Sequence, residues 1–226
     1  MFAIAAALMV SSSAQAQVLN FEGINATYPS FDDALVNSFY NGGTSSVGTS
    51  GANFDIAFSS NARAVCLNSL TNNCSNTSRG GLGDPTSQRA GLYFSTGTET
   101  FMNRAGGFTT GTSFFYVSPT KPGSFSVWDR LSGTGNVLAS LPLNTNAGTC
   151  DAGYGVLCPF SEAGVSFAGT TRSVSFAGAA DQIVFDDVTF GSSRPGTVVP
   201  EPATVALTAT GLFAIAAAAR RRRQTA

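Results

Sequence analysis

Between residues 17 and 190 apolar and polar positions alternate in short runs, and Gly, Asn, Ser and Thr punctuate them. Phe54, Ile56 and Phe58 share one side of a period-two segment. That pattern makes a strand with one face buried. The same reading predicts strands at Val18–Glu22, Gly91–Phe94, Phe114–Val117, Phe125–Asp129, Val137–Leu141, Val165–Phe167, Ser173–Phe176 and Ile183–Phe190. Gly133 and Gly135, between two of these runs, supply the positive φ angles of a hairpin turn. A helical period is nearly absent. Its closest approach is Tyr28 to Tyr40, where Phe31, Leu35 and Phe39 recur every four residues, which fits a short helix or a strand-edge segment. Asn41 to Ala52 and Asn68 to Gln88 read as long polar loops. Many short strands separated by turn signals predict an all-β domain over 17–190, an antiparallel β-sandwich of jelly-roll type.

The two ends follow other rules. Residues 1–16 run from an apolar stretch, Phe2 to Val10, through small polar residues to Ala14-Gln15-Ala16. This is the pattern of a secretion signal cleaved after Ala16. No Lys or Arg lies between Met1 and Val10, so either the true start is upstream or the signal lacks its basic end. At the other end, residues 191–199 form a short Gly/Ser/Pro linker, and Pro200-Glu201-Pro202 leads into an apolar stretch from Ala203 to Ala219. As a helix that stretch would be about 25 Å long, enough for a thin bilayer core. Arg220, Arg221, Arg222 and Arg223 follow it and would hold that end in the cytoplasm, leaving 17–200 outside. The expected course is export, an inner-membrane-anchored precursor, and then the cell surface or the extracellular space.

Charge and cysteines narrow the classes further. From Gln17 to Val199 there are eight basic and twelve acidic residues, a net charge of −4. A nucleic-acid footprint would be basic, so nucleic acid is not an expected partner. The four cysteines form two equally spaced pairs, Cys66 with Cys74 and Cys150 with Cys158. An exported chain meets an oxidising compartment, and local pairing is one of three possible connectivities. Zinc is the competing reading, disfavoured by the spacing and by the absence of histidine from the chain.

Without histidine, Ser/His/Asp and Cys/His arrangements are excluded. A two-carboxylate glycosidase would need a pair among Glu22, Glu99 and Glu162, and nothing in the sequence brings two of them together. No catalytic residue is assigned, and the chain is expected not to be an enzyme. Glycan binding is the sharper expectation, since sugars stack on aromatic rings while polar groups hold their hydroxyls. Trp128 and Asp129, with Arg130, Tyr93, Tyr116 and Tyr154, are the available pieces. A lone Trp in such a domain is more often core or rim. A structural or adhesive surface protein without glycan binding is the alternative, and a polysaccharide-active enzyme the third.

Pro200-Glu201-Pro202, the apolar span and the four arginines together resemble the PEP-CTERM sorting signal. The resemblance implies that an exosortase-type enzyme recognises the motif, removes the transient membrane anchor and passes the protein to the outside of an exopolysaccharide-producing cell. The sorting residues then belong to a substrate and are not catalytic. A looser resemblance covers Ser124–Leu143, Val174–Phe176 and Asp181–Gly191, which are similar to galactose-binding-like jelly-roll domains. Several of those hold a structural calcium between their first and last strands. The resemblance therefore implies calcium at Glu22 with Asp186 or Asp187. Calcium takes several hard oxygen ligands. The other reading of the two aspartates is that one caps a strand end and the other accepts backbone hydrogen bonds.

Overall fold

The computed structural model describes residues 16–25, 33–67, 90–146 and 160–195. These hold ten strands: β1 (Gln17–Leu19), β2 (Asp33–Leu35), β3 (Ile56–Phe58), β4 (Ala62–Cys66), β5 (Ala90–Phe94), β6 (Glu99–Val117), β7 (Gly123–Trp128), β8 (Val137–Leu143), β9 (Ser161–Ala177) and β10 (Val184–Phe190). The only helical elements among the described residues are two 3-10 turns, Phe39–Asn41 and Leu131–Gly133. The all-β class expected from the alternation is present, and every pairing between named strands is antiparallel.

The strands make one sheet where two packed sheets were expected. Its order is β2-β4-β5-β10-β6-β9-β7-β8, with β1 added to β10 and β3 to β6. The reason lies in β6 and β9, of 19 and 17 residues, which pair along most of their length and run through the whole fold. Phe176 lies beside Thr100 of β6, yet its ring is 5.7 Å from that of Phe114, fourteen residues further along β6. A straight strand would put about 46 Å between those positions. The β6–β9 ribbon therefore turns back on itself. The turn falls where the register shifts, between Asn103 and Phe108 and again before Thr110. Gly107 (φ 70°) and Thr110 (φ 76°) both adopt left-handed backbone there. Bulges of this kind increase local bend and twist.

Folding the ribbon brings its inward-facing residues together. Phe114 sits at the centre, with ring centroids of Phe125, Phe185, Phe176 and Tyr116 at 4.7, 5.6, 5.7 and 6.3 Å. Phe21, Phe39, Tyr40, Phe54 and Phe58 extend the same core under the β3 end. Phe21 is buried with φ 55°, and its N–H donates to the Tyr40 hydroxyl at 2.9 Å, which satisfies a donor that no strand partner reaches. A satellite cluster of Val65, Leu67, Tyr93, Val117 and Val184 is separate from it.

Several expected elements are shifted or new. Of Tyr28–Tyr40, read as a short helix or a strand-edge segment, the described part holds β2, at the edge of the sheet, and the 3-10 turn at Phe39. β4 and the part of β6 before Phe114 are strands that the alternation did not predict. Asn41–Ala52 contains no strand, only an isolated Thr44–Ser50 bridge. Cys66, at the end of β4, is buried and disulfide-bonded. Cys74, Cys150, Cys158, Tyr154 and the whole Asn68–Gln88 loop lie outside the described residues, so the pairing scheme stays an expectation. Residues 1–15, Pro200, Glu201, Pro202 and the span with Arg220–Arg223 also lie outside them, and no helix among the described residues is long and apolar enough to cross a membrane.

Candidate functional site

On the limb formed by the first part of β6, the second part of β9, β7 and β8, inward residues alternate with outward ones. Thr100, Met102, Val174, Phe176, Phe125 and Val127 are buried on the core side. The register then fixes two outward rows: Phe101, Ser175 and Ser126 lie side by side, as do Asn103, Ser173 and Trp128. Glu99 begins the face, and its Oε2 accepts from the Ser175 hydroxyl at 2.5 Å.

The β7–β8 turn folds back over one end of this face. Ser132 N–H donates to Asn103 Oδ1 at 2.6 Å, and Gly133 N–H to Ser173 Oγ at 3.1 Å. Gly133 has φ 65° and lies so close to Phe101 that a Cβ there would sit 2.4 Å from its ring. No other residue fits that position without moving the ring. The positive φ angles expected at Gly133 and Gly135 are present, and Ser132 shares them at 54°. Beneath the turn, Phe101 and Trp128 remain partly exposed. Beside it are Leu131 and Val137, two of the three large apolar side chains that stand exposed among the described residues, at 42% and 49%.

Trp128 ends β7 between Ser173 and Val137. Its carbonyl accepts from Thr171 Oγ1 at 2.6 Å, and its indole Nε1 is buried with no acceptor. The Nε1 edge is thus packed inward, while the residue as a whole stays partly exposed. Asp129, expected to reach for ligand, is engaged in the turn: Oδ1 accepts Asn136 N–H and Oδ2 accepts Asn136 Nδ2, each at 2.8 Å. These side-chain and backbone bonds from Asn136, followed by the charges of Arg130 and Arg172, hold its carboxyl below the usual aspartate range. A carboxylate with a depressed folded pKa stabilises the turn at pH above its unfolded value, and that contribution is lost as pH falls through the folded value. The Asn136 amide resonance should therefore titrate with a midpoint below about 3.9. A midpoint at or above that value would contradict the geometry.

Tyr93 and Tyr116 are not stacking platforms. Tyr93 is buried and its hydroxyl donates to Asp33, which also pairs with Arg63 at 2.7 Å. Tyr116 donates to the Asn144 carbonyl at 3.1 Å, and burial raises its pKa. Phe101 is the partly exposed aromatic that shares a face with Trp128. Its signal in the sequence was the alternation Glu99-Thr100-Phe101-Met102-Asn103, hidden because Gly106-Gly107 follows and suggests a loop.

Glu22 and the aspartates occupy a separate region. Glu22 Oε1 accepts the Ala90 N–H at 3.3 Å, at the start of β5, whose Leu92 pairs with Phe185. Asp186 and Asp187 are buried in the β10 bulge; Asp186 Oδ1 accepts the Asp187 N–H at 2.8 Å and Asp187 has φ 45°. Among the described residues no group of three or more acidic or cysteine side chains could hold a metal. Calcium there would have to draw on amide or backbone oxygens as well. The three glutamates are dispersed: Glu22 at β5, Glu99 on the outer face, and Glu162 exposed on β9 opposite Phe115.

Comparison with known proteins assigns one segment. Residues 198–223 match the PEP-CTERM protein-sorting motif. The motif implies an exported protein sorted by an exosortase. No curated protein matches the sequence. Among solved structures the fold is similar to a carbohydrate-binding module, CBM6cm-2, from Cellvibrio mixtus lichenase 5A in complex with cellotriose. That likeness has 11% identity and a TM-score of 0.33, over 49% of this chain and 82% of that one. It is also similar to the C-terminal CBM6 of LamC, a marine laminarinase from Zobellia galactanivorans, at 11% identity and a TM-score of 0.32, over 49% and 85%.

Proposed function

We propose, from a chain whose residues 198–223 carry the PEP-CTERM protein-sorting motif, that the folded part is a non-catalytic component of the extracellular matrix. It is a jelly-roll-like β-sandwich made by doubling one sheet, and it associates with exopolysaccharide through the outer face of β6, β9, β7 and β8. One observation supports the binding reading above the others. Two partly exposed aromatic rings, Phe101 and Trp128, share that face with the serine hydroxyls of β7 and the carboxylate of Glu99. Rings with hydroxyl-binding groups beside them suit a sugar, which has apolar faces and a polar rim.

The test is retention on neutral and acidic polysaccharides by affinity electrophoresis. Phe101→Ala and Trp128→Ala should each weaken retention at least tenfold while the melting temperature falls by only a few degrees. Wild-type strength in both variants would remove this face from the account. Structural calcium at Glu22 with Asp186 or Asp187, completed by amide or backbone oxygens, belongs to the same proposal. Excess chelator should lower the melting temperature, and an unchanged melting curve would dismiss the ion.

A second reading has its own support. β8, Val137-Leu138-Ala139-Ser140-Leu141-Pro142-Leu143, ends the sheet and carries no charge. Uncharged edges invite another strand, although Pro142 removes one donor. Self-association without polysaccharide binding would favour an adhesive protein.

A further inference from the structure

The chain that leaves β10 toward the sorting motif is fastened to the domain before it departs. Gly191 N–H donates to the Gly111 carbonyl at 2.9 Å, and Thr110 Oγ1 donates to the Gly191 carbonyl at 2.7 Å. The buried Ser113 hydroxyl donates to the Ser192 carbonyl at 3.0 Å. Ser192 Oγ then accepts the Arg194 N–H at 3.1 Å and closes a tight turn.

The approach is close enough to require glycine beneath it. A Cβ on Gly164 of β9 would lie 2.3 Å from the Ser193 carbonyl oxygen, and one on Gly111 of β6 would lie 2.8 Å from Ser193 N. Neither glycine has a left-handed φ, so close approach demands glycine at both positions: the strap comes nearest, and beside it stand Ser113 Cβ, 2.7 Å from a Cβ on Gly164, and the Val165 carbonyl oxygen, 3.0 Å from one on Gly111. The segment expected to be a plain tether is, in its first half, part of the fold.

Five Cα steps separate Pro195 from Pro200, and an extended chain covers at most about 18 Å in that distance. Freed as far as Phe190, the lead would reach about 36 Å.

We propose that Gly191–Pro195 is a clasp that limits processing, and that Gly111, Ser113 and Gly164 are positioning residues for it. While docked, it holds the lead between the fold and the Pro-Glu-Pro motif to five residues and so hinders the membrane-bound sorting enzyme; when the clasp opens, the lead doubles and the motif becomes easier to reach. This rests on the PEP-CTERM reading of the tail.

The experiment follows anchor removal by pulse-chase in cells co-producing the full chain and an exosortase. Inserting ten Gly/Ser residues after Pro195 should speed removal several-fold. Gly164→Ala should do the same, and the two together should be no faster than the insertion alone. Ser113→Ala, which removes a clasp hydrogen bond and adds no atoms, serves if Gly164→Ala fails to fold. Hydrogen exchange should show the Gly191 amide exposed in both variants and core amides such as Val174 unchanged. Wild-type processing with that amide exposed would overturn the clasp, as would additive acceleration by insertion and substitution. Absence of processing in every chain, the insertion included, would overturn the sorting reading and the clasp with it. Processing abolished by replacing Pro200–Pro202, yet insensitive to the clasp, would overturn the clasp alone.

Discussion

Phe114→Ala should destabilise the domain by about 3–5 kcal/mol, the usual loss for a large aromatic removed from a core. The ring is fully buried and touches aromatic partners from β7, β9 and β10 as well as Tyr116 of its own strand. It is therefore the point at which the two limbs of the folded sheet meet. Total stabilities of domains are about 5–15 kcal/mol, so this one change takes a large share of the margin. Urea denaturation of residues 17–195 should show the midpoint falling sharply. Phe167→Ala on the outer part of β9 is the comparison. That ring is only partly buried and, among the described residues, contacts the ring of Phe108 alone, so its loss should be markedly smaller. Equal losses would mean that Phe114 does not join the limbs as described.

Replacing Pro200, Glu201 and Pro202 together with alanine should leave the domain folded and stop its release. Residues 198–223 carry the sorting motif, and the apolar stretch after it remains intact in this variant. An uncleaved span would keep the chain in the membrane fraction, because four arginines crossing a bilayer core are strongly disfavoured. Cell fractionation with blotting reads the outcome. Normal appearance of the variant outside the cell would show that the three residues do not direct sorting.

The two effects differ in how far the sequence anticipated them. The sorting tail was legible because its signal is linear: a short motif, a greasy stretch and a basic cluster act through their order along the chain. Strands whose residues alternate cleanly were also legible. Phe54–Phe58, Phe125–Asp129, Val137–Leu141 and Ile183–Phe190 all overlap observed strands, because period two is a local consequence of the pleat. The segments from Val165 and from Ser173 proved to be two pieces of the single strand β9.

The middle of β6 was not legible. Asn103-Arg104-Ala105-Gly106-Gly107 has the composition of a turn, and locally the ribbon does bend there. Only its pairing with β9 on both sides of the bend makes it one strand. The candidate site suffered in the same way. Trp128 was visible as a rare aromatic, whereas Phe101 became a candidate only once the register with Ser175 and Ser126 put it on the same face. Asp129 looked available for a ligand because its hydrogen bonds to Asn136 close only when the turn has formed.

Order along the chain thus determined the destination of this protein, its all-β class and its lack of histidine chemistry, since each depends on composition or on neighbours in sequence. Tertiary structure decided the single doubled sheet, the aromatic pair on its outer face and the docking of Gly191–Arg194 over Gly111 and Gly164. Those features join residues dozens of positions apart. Such contacts have no local pattern, and they arise only when long strands pair and fold over a shared core.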